Sequence, residues 1–371
     1  MTTERPSSGT PLRIAVVHNL DFSEDEEDDP SSGGKANAEI VEVAACVAQA
    51  LRAAGHRPLT LTVRDSLDGL IPALRASRVD VVFNLVESLG GESRREPELP
   101  EALTRAGIPY TGNSATALTR SFDKRQVREA LAAHRIPIAP GCVVSTEAEL
   151  ERVAAAGLRY PLFVKPALTD GSIGVSQASR VASLGELRAQ LEALWAALGG
   201  PALVEEYLPG PEINVAIFPD GEGRTRLVPT LIDFSDNPAD CHPIVTYACK
   251  WEEASPEYFA RTVPLGDRVP DATRRNALRA AEAAFHVIGG DSYGRVDLRL
   301  DGAGRPCVMD LNPNPDLHPD AGFVLALRGI DVPYVHLIDT LIRRALTRSR
   351  PHASTAPRSR PRAARCALAV G

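Results

Sequence analysis

The chain is expected to be an α/β protein: a doubly wound parallel sheet first, then an α+β second half. Three observations lead there. Short apolar runs alternate with segments of helical period from residue 12 to residue 111, the signature of strands crossing over through helices. From residue 202 onward β-prone runs follow one another and end in a hairpin with an Asp-Gly turn. At 371 residues the chain exceeds one ordinary core, so two or three domains are expected.

Taken in order, residues 1–11 are polar and are read as a disordered start, with no secretory signal. Residues 12–18 form a continuous apolar strand. The acidic run 21–29 and the small-residue stretch 31–35 read as a solvated loop. Residues 39–54 carry helical period and stop at Gly55, a good terminator because it tolerates positive φ. A strand at 58–63, a helix at 67–76 and a buried strand at 79–85 follow. The last runs into Val86-Glu87-Ser88-Leu89-Gly90-Gly91-Glu92, then a helix at 97–106 and a strand at 108–111. Loops at the carboxyl ends of such strands, here 18–22 and 86–92, are where ligands sit in open α/β sheets.

Residues 123–134 are helical and end at Ile136-Pro137, a boundary. A strand at 141–144 and helices at 146–156 and 184–198 frame an apolar run, Phe163-Val164-Lys165-Pro166. Strands are expected at 202–207, 212–218, 226–234 and 244–248, and a helix at 271–285. The hairpin 293–300 and 306–312 and a closing helix at 332–346 complete the set. The resulting division is 12–120, 121–208 and 209–346, with a disordered basic tail at 347–371.

The bulk numbers exclude several classes. A net charge of −7 argues against non-specific nucleic-acid binding. No apolar run approaches the roughly 20 residues needed to span a bilayer, so no membrane partner is expected. The six cysteines are scattered without a CxxC, and they read as reduced thiols of a cytoplasmic protein. Cys241-His242 with Cys249 lacks a fourth zinc ligand.

Three stretches carry chemistry. Lys165 ends an apolar strand, and the turn Thr169-Asp170-Gly171-Ser172-Ile173-Gly174-Val175 follows. Free N–H groups in such a turn cradle phosphate oxygens while the ammonium acts as a point charge. The order is neither a Walker loop nor GxGxxG. The second is Arg295-Val296-Asp297 with Asp310-Leu311-Asn312. Strand residues two apart share a face, so two carboxylates and a carboxamide form an oxygen-rich site suited to Mg²⁺, with an arginine beside it. The third is Glu205-Glu206-Tyr207-Leu208-Pro209-Gly210-Pro211-Glu212, a buried strand entering a Gly/Pro hinge that could grip a nucleoside.

In this order the three stretches resemble the ATP-grasp superfamily, in particular its D-alanine–D-alanine ligase-like group, over residues 12–346. The resemblance implies a three-subdomain ATP-grasp fold. It implies ATP as cofactor, with Mg²⁺ (Mn²⁺ the alternative), and ligation of a small-molecule carboxylate to an amine through an acylphosphate. Lys124 and Lys165 would contact ATP phosphates, and Gly171, Ser172, Ile173 and Gly174 would close over them. Glu205, Glu206, Tyr207 and Leu208 would hold adenosine, with Glu212 on the ribose. Lys250, in Tyr247-Ala248-Cys249-Lys250-Trp251, would reach the γ-phosphate from a mobile loop. Asp297, Asp310 and Asn312 would hold the metal, and Arg295 would steady the transferring group. Members are often homodimers.

Both substrate ends depart from the group's pattern. The Gly-Gly, Ser and Glu loop after the first strand is replaced by His18-Asn19-Leu20-Asp21-Phe22. The small, Ser-rich segment beyond the metal asparagine reads Pro313-Asn314-Pro315-Asp316-Leu317-His318. A carboxylate such as Asp316 would repel a substrate carboxylate and attract an ammonium. The substrates are therefore expected to be something other than two D-alanines, with His18, Glu87, Tyr247 and Asp316 as candidates to contact them. D-alanine–D-alanine ligase proper, an ATP-grasp small-molecule kinase and a non-catalytic ATP-binding regulator are the other readings.

Overall fold

The computed structural model describes residues 10–20, 34–258 and 260–348, with side chains described from residue 39 on in the first helix. The acidic run 21–29 and nearly all of the basic tail lie outside the described residues.

β1 (Arg13–Asn19) is the centre of a three-stranded parallel sheet between β2 (Arg57–Val63) and β3 (Val81–Leu85). Its alternate side chains feed two cores. Ile14 and Val16 pack with Val43, Val47 and Leu51 of α1 (Gly34–Ala53). Ala15 and Val17 pack with Leu74 of α2 (Leu70–Ala76) and with Leu99 and Leu103 of α3 (Glu98–Ala106). A strand covered on both faces must be apolar throughout, which is why 12–18 carries no alternation. The expected strand at 108–111 is reduced to one parallel bridge, Val82 to Tyr110.

Two short helices come next. The sequence reading missed α4 (Ala115–Phe122), although Ser114 caps it by accepting from the Ala117 N–H. Asp123 caps α5 (Lys124–Ala133) through the Arg125 N–H, which fixes Lys124 in the first turn. A four-stranded antiparallel sheet follows, ordered β4 (Gly141–Val144), β7 (Ala202–Glu206), β5 (Leu162–Pro166), β6 (Arg180–Val181). The expected helix at 146–156 begins as a 3₁₀ turn and continues as α6 (Leu150–Ala155). α7 (Leu184–Leu198) covers this sheet with Leu187, Leu191 and Leu194.

The last sheet is antiparallel and five-stranded, ordered β10 (Arg261–Pro264), β9 (Thr225–Asp233), β8 (Glu212–Pro219), β11 (Gly294–Leu300), β12 (Pro306–Asn312). The expected strand at 244–248 is corrected: α8 (Tyr247–Trp251) is a helical turn, because Thr246 accepts from the Cys249 N–H and caps it. α9 (Asp271–Val287) packs Ala277, Ala281 and Phe285 on Ile213, Val215, Val296 and Leu298. The opposite face carries Glu212 and Asn214 of β8, Arg295, Asp297 and Arg299 of β11, and Asp310 and Asn312 of β12, and this polar part lines the cleft. α10 (Gly322–Arg328) was not anticipated. α11 (Tyr334–Arg348) joins α1, β1, Ala216, Phe218 and Tyr293 in one core, so the parallel sheet is fixed to the five-stranded one.

Candidate active site

The cleft lies between the four-stranded and five-stranded sheets, and its polar side chains are set by strand period. Register pairs Arg299 with Glu212, Asp297 with Asn214, Asp297 with Asp310, and Arg295 with Asn312. All seven therefore share one face. Met309 is an extra residue at a register shift between Asp297 and Leu298, a bulge of the kind that re-aims side chains beside a site.

Lys165 is 8% exposed; its Nζ donates to the Met309 carbonyl at 3.1 Å and pairs with Glu205 at 3.0 Å. Glu205 is held from the other side by Arg128 Nη1 at 2.8 Å, and Arg128 Nη2 donates to the Ala139 carbonyl at 2.6 Å. Lys124 Nζ donates to the Thr169 carbonyl at 2.5 Å and to Asp170 at 3.1 Å. Burial alone would lower its pKa, but Asp170, Asp310 and Glu205 hold it above the ordinary lysine range. Burial pushes Asp310 up, and Lys124 and Lys165 more than reverse this, so it stays ionised below the usual carboxylate range. Arg295 grips Asp297 with two hydrogen bonds, at 2.7 and 2.8 Å. Burial, then the Arg295 charge, lowers the pKa of Lys250.

The hinge divides its acids. Glu206 turns to Arg159, accepting at 2.9 and 3.1 Å, so its side chain is not brought to the cleft and only its backbone can face a ligand there. Glu212 is buried, which raises its pKa, with Arg299 at 3.5 Å as partial compensation. Arg299 also donates to the Tyr207 hydroxyl at 2.9 Å and to the Gly210 carbonyl at 3.0 Å. Leu208 packs with Ala139, Cys307 and Met309, an apolar patch beside these groups.

The glycine-rich turn has Gly171, Ser172 and Gly174 at φ 65, 62 and 76°. A serine in that region is a strained residue of the sort found at ligand clamps. The turn is fastened to the α8 segment: Ser172 Oγ donates to the Val245 carbonyl, Trp251 Nε1 to the Gly171 carbonyl, and the Tyr247 N–H to the Val175 carbonyl. The two lids form one cover, and Lys250 within it feels the charges of Arg295, Asp297, Asp310 and Glu212.

On the substrate side, His18 is 4% exposed, its Nδ1 lies 2.9 Å from the Asn19 carbonyl, and burial lowers its pKa. The neighbouring Asn19 accepts from the Glu87 N–H and donates to Ser88. Asp316 accepts from the His318 N–H at 2.7 Å, and burial raises its pKa. Burial, then the charge of Asp316, pushes Glu39 up to about 7. Glu96 accepts from Asn314, which also accepts from the Tyr293 hydroxyl; burial and Glu87 hold Glu96 well above the carboxylate range.

Arg128, Asn214, Arg299, Glu96 and Asn314 were missed in the sequence. Arg128 stands one helical turn from Lys124, on the same face of α5, and Asn214 and Arg299 lie two residues from residues already named. Period alone offered those three. Nothing local offered Glu96 or Asn314, whose contact spans 218 positions.

Of the expected metal set, Asn312 Oδ1 accepts from the Asn314 N–H at 2.9 Å, while the two carboxylates face each other. Like charges directly opposite on paired strands destabilise a sheet, yet Asp297 and Asp310 are placed so. Asn214, on the same face, is 7% exposed, and its Oδ1 has no hydrogen-bond partner among the described residues. Two carboxylates and an orphaned amide oxygen on one face suit a hard divalent cation.

A parallel sheet followed by two antiparallel sheets with a cleft between them is the ATP-grasp architecture. The D-alanine–D-alanine ligase of Bacillus anthracis complexed with ATP superposes with a TM-score of 0.68 at 20% identity, covering 91% of this chain and 98% of that one. The model of the family described as D-ala D-ala ligase C-terminus matches residues 134–343. A D-alanine–D-alanine ligase of Granulibacter bethesdensis is 31% identical over 314 residues, 82% of this chain and 92% of its own. That of Gluconobacter oxydans is 28% identical over 302 residues, 81% and 92% of the two chains. The chain belongs to the D-alanine–D-alanine ligase family of ATP-grasp enzymes, ADP-forming ligases that use ATP and a divalent metal. Among the described residues no helix is long and apolar enough to cross a membrane.

Proposed function

We propose that this enzyme joins an amino-acid-like carboxylate to an amine through an acylphosphate. The observation that carries this is the convergence of Lys124, Lys165 and Asp310 with the Arg295–Asp297 pair under a shared lid. A carboxylate oxygen attacks the γ-phosphorus of ATP, the bond to the β-bridging oxygen breaks, and ADP leaves. Lys124, Lys165, Lys250 and Arg295 neutralise charge on the transferring group, which is most of what a protein does in such a step. The amine nitrogen then attacks the acyl carbon, phosphate departs, and the amine's excess proton is released. Asp297, Asp310 and Asn312 would hold Mg²⁺, or Mn²⁺, which when bound supplies further charge neutralisation at the nucleotide phosphates. The fastened lids exclude water from the acylphosphate. Adenine is assigned to the hinge backbone at Glu206–Leu208 against Leu208 and Met309, and ribose to Glu212.

The substrates are proposed to be other than two D-alanines, because Asp316 and Glu39 present carboxyl groups where that reaction needs a carboxylate held. The names of the relatives, and their coverage over 91–92% of their own length in three cases, favour the second reading, D-alanine–D-alanine ligase proper. ADP release with Mg²⁺-ATP over a panel of amino acids and amines, singly and in pairs with product mass, separates the two. A pair giving a product one water lighter than its sum names the substrates; D-alanyl-D-alanine as the best product selects the second reading. ADP release without an amine requirement defeats both. Cytoplasmic operation follows from the ATP requirement, and a homodimer is tested by light scattering.

A further inference from the structure

The lid, with α7, borders a second groove. It encloses about 370 Å³, within the usual range for small-molecule sites. One wall is a stripe of α7, Gln190, Ala193, Leu194, Ala197 and Leu198, at helical spacing; the two alanines leave the room. The other wall is the lid itself, Gly174–Ser176 and Thr246–Ala248, with Glu252 and Glu257 at its edge. No residue lining the groove is Lys, Arg or His, so its charge is purely negative. Glu257 Oε2 is occupied by Gln177 Nε2 at 2.9 Å and Thr246 Oγ1 at 2.6 Å, while Glu252 pairs with no cation among the described residues. An aliphatic wall, a tyrosine and an unpaired carboxylate together define one ligand chemistry.

We propose that this groove binds a small primary ammonium with a branched hydrocarbon body and that its occupancy braces the lid. The ammonium meets Glu252 at the edge, and the hydrocarbon lies on Ala193, Leu194 and Ala197. The glycine turn and the α8 segment that wall the groove are the segments assigned above to close over the ATP phosphates. A ligand here is therefore coupled to nucleotide binding through a shared element, and the coupling is reciprocal. The groove shares Gly174 and Tyr247 with the residues expected at the ligase site, but its α7 wall and Glu252 belong to no part of that reading, so the proposal stands whether or not it holds.

The test is calorimetric titration of the whole protein with 3-methylbutylamine and with 3-methylbutanol, each with and without a non-hydrolysable ATP analogue. The amine is expected to bind at least about tenfold more tightly than the alcohol, a difference of ~1.4 kcal/mol. The analogue should tighten the amine by the same factor as the amine tightens the analogue. Ala197→Trp, which fills the groove, should abolish amine binding, and Glu252→Gln should reduce it to the level of the alcohol. Analogue binding without amine should be unchanged in Glu252→Gln, which also reports that this variant is folded. If Ala197→Trp is not folded, Glu252→Gln decides alone. Equal binding of amine and alcohol, amine binding that survives the substitutions, or the absence of reciprocal coupling overturns the proposal.

Discussion

Replacing Arg128 by methionine tests how the phosphate lysine is held. Methionine keeps much of the stem's packing and removes two hydrogen bonds, to Glu205 at 2.8 Å and to the Ala139 carbonyl at 2.6 Å. Glu205 is 4% exposed and would keep only Lys165. Hydrogen bonds to charged groups contribute about 1.5–3 kcal/mol each, so the lower end for both gives about 3 kcal/mol. Not all of that appears as lost stability, because Lys165 can turn further onto Glu205. That turn draws Lys165 away from the nucleotide, and a share of about 1.4 kcal/mol there is a tenfold weaker ATP affinity. Urea unfolding of the apoprotein and calorimetric ATP binding measure the two parts. Arg128→Lys should recover more of the ATP affinity than of the stability, since one amine can serve Glu205 but not both acceptors. An unchanged urea midpoint together with an unchanged ATP affinity in Arg128→Met would refute the reasoning.

Lys165→Ala and Asp310→Ala should each abolish ATP turnover while leaving circular dichroism and a cooperative unfolding transition in place; turnover retained in either defeats the site assignment. Gly174→Ala would set a Cβ 2.6 Å from Leu198 Cδ1 and 2.9 Å from Pro166 Cγ, at φ +76°. With roughly 1–2 kcal/mol of left-handed backbone strain added, the KM for ATP should rise about tenfold. Trp251→Phe removes the bond to the Gly171 carbonyl and should raise ATP hydrolysis relative to amide formation, read as the ratio of phosphate to product. Glu39 is raised from 4.5 to about 7, so its contribution to stability is fully present below pH 4.5 and is lost as pH rises through 7. Glu39→Gln should flatten the urea midpoint over that window.

Period made the cleft face legible. Arg295, Asp297, Asp310 and Asn312 follow from alternation along two strands, and Lys165 from its place at the end of an apolar run. What alternation does not encode is long-range pairing. Arg128 meets Glu205 across 77 positions, and Glu206, a neighbour of Glu205, faces Arg159 instead because successive strand residues point to opposite sides. The segment 244–248 has strand-like residues, yet a single threonine cap outweighs that preference and turns it into α8. Ser114 and Asp123 were equally good cap signals, but α4 is only eight residues long and abuts the next helix, so the two are hard to separate in the sequence. The Met309 bulge left no sequence mark either. It shifts Asp310 and Asn312 by one position relative to Val308, which places them opposite Asp297 and Arg295.

The most direct test of the acylphosphate route follows one oxygen atom. The enzyme is incubated with Mg²⁺-ATP, an amine mixture and amino acids carrying ¹⁸O in their carboxyl groups, and the released phosphate is weighed. Attack of the carboxylate on the γ-phosphorus, followed by amine displacement, leaves one carboxyl oxygen in the phosphate, so singly ¹⁸O-labelled phosphate should accumulate in step with ADP and amide. Amide formation with unlabelled phosphate would contradict the account.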